Sequence, residues 1–220
     1  MSSSLLQILV LAAIAIFLVI RLRSVLGTRD GFEKPPVAPE PDRREGARPE
    51  LEVIEGGVDS DIADYVAEGS PAATALAQMK AIEPGFSVRE FIEGARAAYE
   101  MILMAFEHGD ISEIRDLLSD EVAAAFQEVI DERRAQGLDV RAEFLGVREI
   151  RIVGAEFSPA TALAEITVRF VSEMNFVIRD AEGNVVEGDP NHIRRQKDVW
   201  TFERRMGSSD PNWILVATGE

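Results

Sequence analysis

The chain has 220 residues, a formal net charge of −16 at pH 7 and no cysteine. The missing thiol excludes disulfides, thiolate catalysis and sulfur-ligated metals. The acidic balance argues against nucleic acid and against a broadly basic lipid-binding face, because phosphate would be repelled over most of the surface.

Leu5 to Ile20 is an apolar run broken only by Gln7 and followed at once by Arg21 and Arg23. As a helix, residues 3–22 would be roughly 30 Å long, about the thickness of a bilayer's hydrocarbon core. A cleaved signal peptide is the rival reading. No Lys or Arg precedes the run and no A-x-A site follows it, so the pattern predicts a retained transmembrane anchor over 3–22. Arg21, Arg23, Arg29, Lys34, Arg43 and Arg44 all lie after the span, which puts the rest of the chain on the cytoplasmic side.

Residues 23–59 interleave Pro35, Pro36, Pro39, Pro41 and Pro49 with charged residues and read as a disordered tether. Residues 60–83 return to helical spacing, with a break at Gly69-Ser70-Pro71 and Ser70 as a helix cap. Two readings stand for this amphipathic arm: it lies on a membrane or partner, or it packs on the following domain.

That domain is expected over 84–220. Ser87-Val88-Arg89-Glu90 is a capping box that opens a long helix with an apolar stripe from Val88 to Phe106. Gly109-Asp110 closes it, Asp110 caps a short helix, and Ser119 caps a third that ends at Gly137. The period then changes to two. Strands are predicted over Phe144–Val153, Thr161–Val171, Asp198–Met206 and Trp213–Thr218, with loops at Gly154–Pro159, Asp180–Gly188 and Gly207–Asn212. Helices followed by antiparallel strands indicate an α+β domain, with helices packed on a curved antiparallel sheet. Such a sheet against one long helix would form a cone, either open or filled by its own side chains.

Several strings in this order resemble the Tim44-like family, the C-terminal domain of a mitochondrial inner-membrane translocase subunit and its bacterial relatives. They include Phe91-Ile92-Glu93-Gly94-Ala95-Arg96, Gly109-Asp110, Ile166-Thr167-Val168-Arg169-Phe170 and Gly183-Asn184-Val185-Val186-Glu187-Gly188. Asp198-Val199-Trp200-Thr201-Phe202-Glu203-Arg204 and Pro211-Asn212-Trp213-Ile214-Leu215 complete the pattern. The resemblance implies a nuclear-transport-factor-two-like cone with a deep apolar pocket, association with cardiolipin-containing membrane, and a scaffolding role beside a translocase. Chaperone recruitment does not carry over, because the linker lacks the long charged region that performs it in the mitochondrial protein.

The expected function is therefore a membrane-anchored adaptor of the inner membrane, single-pass with a cytoplasmic domain, that holds a protein partner and lipid near the bilayer, with a link to protein translocation. The alternatives are a lipid or hydrophobic-ligand pocket protein, or a pocket isomerase or dehydratase. Candidate pocket residues are Phe91, Tyr99, Ile102, Phe170, Trp200, Phe202, Trp213 and Leu215, which a closed core would use equally. Candidate head-group contacts are Arg194, Arg195, Lys197, Arg204 and Arg205, each adding about 1 kcal/mol near anionic lipid, or else serving as a solvated edge. His108 reads as a helix-end charge and His192 as an exposed loop residue. No metal motif, phosphate cradle or nucleophile elbow occurs, so no cofactor, metal, nucleic-acid partner or enzymatic activity is expected.

Overall fold

The computed structural model describes residues 59–190 and 192–219, and these belong to a single contact unit. The predicted anchor over 3–22 and almost all of the predicted tether lie outside the described residues. Among the described residues no helix is long and apolar enough to cross a membrane.

The helices begin where side chains can cap them. In α1 (Ser60–Ala63) the Asp59 carboxylate accepts from the Asp61 amide, and in α2 (Pro71–Ile82) the Ser70 hydroxyl accepts from the Ala73 amide. Ser87 does the same for the Glu90 amide in α3 (Val88–His108), and Ser119 for the Val122 amide in α4 (Asp120–Ala135). Each cap satisfies a donor that the first helical turn leaves unpaired. Gly109 takes φ +74° and ends α3, with the Asp110 amide reaching back to the Ala105 carbonyl. Only glycine adopts that left-handed conformation without steric cost. A 3-10 turn, Ser112–Leu117, links α3 to α4.

Five strands follow: β1 (Asp139–Ser158), β2 (Leu163–Arg179), β3 (Val185–Gly188), β4 (Arg194–Arg205) and β5 (Ile214–Gly219). All pairings are antiparallel, in the order β1-β2-β4-β5. β4 covers one edge of β2 from Leu163 to Met174, and β3 takes up that edge from Val177 to Arg179.

These strands correct the sequence reading. Residues 154–158 are strand, not loop, residues 139–143 extend the first strand ahead of its expected start at Phe144, and Val185–Gly188 is a strand inside the expected loop. The cause lies in β1, whose register shifts at Phe144/Gly146, Val147/Glu149 and Ile152/Gly154. Each shift puts the apolar/polar alternation out of phase, so a period-two reading stops at the bulges.

The expected cone does not form. β1 and β5 are opposite edges of an open sheet, and β5 is covered at Leu215 by the Leu118 bridge and the Ser119 amide. Among the described residues the expected deep apolar pocket is not formed either, for a related reason: large side chains fill the space between helices and sheet. Tyr99, Ile102, Phe170, Phe202 and Leu215 are almost wholly buried, and the Tyr99 ring stacks on Phe170 at 4.3 Å and 10°. Burial of each such side chain is worth about 1.5–3 kcal/mol, so the sequence places its largest residues in the core. α2 packs in the same core, with Leu76 and Met79 fully buried.

Candidate functional site

Of the eight candidate pocket residues, seven are core. Trp200 and Phe91 join the five named above as buried, and only Trp213 is partly exposed. The polar exception inside this core is a cluster that sequence patterning did not reveal. The Tyr99 hydroxyl donates to Asp198 Oδ2 at 2.5 Å and lies 2.8 Å from Ser172 Oγ, and Gln196 Nε2 donates to Asp198 Oδ1 at 3.1 Å. Burial, and next the adjacent Asp198 carboxylate, push the Tyr99 phenol above its ordinary range. The three residues lie 73 to 99 positions apart from Tyr99 along the chain, so no local spacing could announce them.

At the N-terminal end of α3, Phe86, Phe91, Ala98, Leu117 and Trp213 line an open groove of about 400 Å³. Phe91 packs edge-on to Trp213 with centroids 4.8 Å apart. Gly94 and Met101 continue the groove along α3; Met101 is 49% exposed, and a Cβ built on Gly94 meets nothing within 4 Å. The far wall is held by Arg204, whose Nη2 contacts both Glu83 oxygens at 3.0 Å while its Nε donates to the Asp210 carbonyl. Glu83 also accepts from the Gly207 amide at 2.9 Å. That clamp fixes the 207–213 loop and with it Trp213.

The five candidate head-group cations do not form one patch. Arg195 and Arg204 sit nine residues apart on β4, roughly 30 Å in an extended strand. Arg204 belongs to the groove wall, and Arg205 donates to the Thr161 carbonyl. Arg194 instead lines a polar cleft of about 580 Å³ with Glu107, Arg133, Glu187 and Asp198 over a floor of Met174, Phe176 and Ile178, while register places Arg195 and Lys197 on the opposite face of the sheet. Arg133 pairs with Glu107 at 3.1 Å, Arg194 with Glu187 at 3.5 Å, and Arg195 with Glu173 at 3.1 Å. Burial raises the Glu107 pKa even though Arg133 and Arg194 act to lower it. His108 and His192 are both exposed. Among the described residues no group of three or more carboxylates or imidazoles is placed to hold a metal.

The Tim44-like domain model matches residues 72–220, more than half of the chain. The chain belongs to the Tim44-like domain family. Human mitochondrial import inner membrane translocase subunit TIM44 is 22% identical over 144 residues, which cover 64% of this chain and 31% of that protein. The match therefore spans about a third of the human relative's length. Among solved structures, the intermembrane-space region of the chloroplast protein ARC6 superposes with a TM-score of 0.40 at 14% identity, over 58% of this chain and 94% of that one.

Two further expectations are corrected here. The lipid-pocket reading fails because Tyr99, Ile102, Phe170, Trp200 and Leu215 pack against one another in the core, and only Phe91, Phe202 and Trp213 border an open surface groove. The membrane-anchored, single-pass inner-membrane placement is withdrawn, since no described helix can cross a bilayer and the segment that suggested it lies outside the described residues. What stands is membership of the Tim44-like domain family.

Proposed function

We propose that this Tim44-like domain is an adaptor that holds a protein partner in the groove along the N-terminal half of α3. The observation that carries the reading is Gly94. A mid-helix glycine costs about 0.5–1 kcal/mol relative to alanine, yet nothing inside the domain lies within 4 Å of the place its Cβ would occupy. The missing side chain leaves room on the outer surface, between the half-exposed Met101 and the Phe86–Phe91–Trp213 aromatic cluster. Close approach of another backbone is the use that fits such a gap.

Glu90, Glu93 and Glu100 are exposed on the same helix, and the chain as a whole carries −16. Apolar partner residues flanked by basic ones would complement both floor and rim. The human relative is by name a subunit of an import translocase, a multi-protein assembly, which supports a partner-binding role.

A photoreactive side chain at Met101 tests the reading in cells. It is expected to give one discrete crosslinked species that is lost in a Trp213→Ala background. The same species at equal yield from Glu182, in the exposed turn before β3, would remove the groove from consideration.

A further inference from the structure

We propose that the sheet face turned away from the helices docks an acidic helix of a partner protein, one that presents a short row of carboxylates. The site does not depend on the groove. Register tells the two faces apart. Ser172 and Asp198 meet Tyr99 on the helix side, and successive residues of a strand point to opposite faces. Val171, Glu173, Arg195 and Lys197 therefore stand on the outer face. Antiparallel pairing sets Glu149, Val171 and Lys197 in one row across β1, β2 and β4, and Arg151, Arg169 and Val199 in the next. On the other side of the first row Glu173 faces Arg195, and Arg148, the extra residue at a β1 bulge, joins them through Glu173.

Two carboxylates in these rows are shared by four arginines. Glu173 pairs with Arg148 at 2.6 Å and with Arg195 at 3.1 Å, and Glu149 pairs with Arg151 at 3.2 Å and also with Arg169. Lys197 is exposed and makes no ion pair among the described residues. These five cations exceed the two carboxylates by three charges, in a chain whose net charge is −16. Arg148, Arg151 and Arg195 are 62%, 67% and 65% exposed, so N–H donors not used on the carboxylates face solvent. Spacing selects the partner. Cations two residues apart on a strand stand about 7 Å apart, close to the rise of about 6 Å between side chains at i and i+4 of a helix. Extent excludes a long polyanion. Four residues along β2 from Arg169, Glu165 pairs in register with Glu156 on β1 and Glu203 on β4. That acidic row repels a phosphate chain or an anionic lipid surface that overruns the site.

The test uses the full-length chain and a fluorescein-labelled, alanine-based helical peptide with glutamate at i, i+4 and i+8. Anisotropy is read at about 0.1 M salt, where charges act over roughly 10 Å. The peptide is expected to bind saturably and more weakly as salt rises, while its glutamine counterpart does not bind. Lys197→Glu should weaken binding about tenfold, one favourable contact being exchanged for a repulsion. Arg151→Glu, on another strand of the same site, should act alike. Arg205→Glu makes the same charge change about 27 Å further along β4 and should leave affinity within about twofold of wild type. An unchanged urea midpoint confirms that each variant folds. No saturable binding in wild type, or equal weakening by Lys197→Glu and Arg205→Glu, would overturn the proposal. Labelled decathymidylate binding as tightly as the glutamate peptide would overturn the assignment to a short acidic helix.

Discussion

The Tyr99 hydroxyl and the Asp198 carboxylate meet at 2.5 Å in the centre of the domain, where Tyr99 is fully buried and Asp198 is 8% exposed. The bond ties the middle of α3 to the middle of β4. It also leaves a buried carboxylate dependent on donors that only the folded state supplies. Tyr99→Phe keeps the ring stacked on Phe170 but removes one of those donors. A cost of about 1–3 kcal/mol is expected, the penalty for leaving a buried polar group under-satisfied. Urea denaturation of Tyr99→Phe against wild type measures it. Because the Tyr99 phenol is pushed up in the fold, its contribution is complete below about pH 10 and is lost as pH rises through the folded value. Tyr99→Phe should therefore flatten the alkaline loss of stability, and an unchanged alkaline limb would contradict the assigned bond.

Asp61 gives the opposite pH dependence. Its carboxylate caps the start of α3, accepting from the Val88 amide at 2.8 Å and the Arg89 amide at 3.0 Å, and it contacts Lys80 at 2.7 Å. Burial acts to raise its pKa, but Lys80 and the two amides together outweigh burial and bring the group to about 2. A depressed folded value means that this contribution is present above the ordinary carboxylate range and lost as pH falls through it. Wild type should lose stability between about pH 5 and about pH 2 more steeply than Asp61→Asn. Chemical denaturation at a series of acidic pH values checks this, and parallel curves would show that the cap is not what links α1 to α3.

The helical layer was legible in the sequence because its signals are local. Ser70, Ser87, Ser119 and Gly109 each act on residues within one turn, and all four cap or terminate helices in the structure. The strands were legible only in part. Three bulges in β1 break the alternation on which a period-two reading depends, and β3 is four exposed residues with no core-facing pattern. The sites were least legible. The phenylalanines and tryptophans of the sheet carry the same signature whether they line a pocket or fill it, and only the packing of Tyr99 between Phe170 and Trp200 decides. Arg133 and Arg194 lie 61 positions apart, and their convergence on one cleft is a product of the fold.

Gly94 also offers a way to separate folding from function. Nothing in the domain lies near its vacant Cβ position, and its backbone has no positive φ to defend. Gly94→Ala is therefore expected to raise stability by roughly 0.5–1 kcal/mol, the helical cost of glycine being removed. Gly94→Leu should leave the fold intact as well, since leucine is a good helix former and its side chain extends into the open groove. If the groove receives a partner, that side chain occupies the space the partner needs. Crosslinking from Met101 should fall in Gly94→Leu while the urea midpoint stays at or above that of wild type. Undiminished crosslinking in a stably folded Gly94→Leu protein would show that no partner approaches α3 at this point.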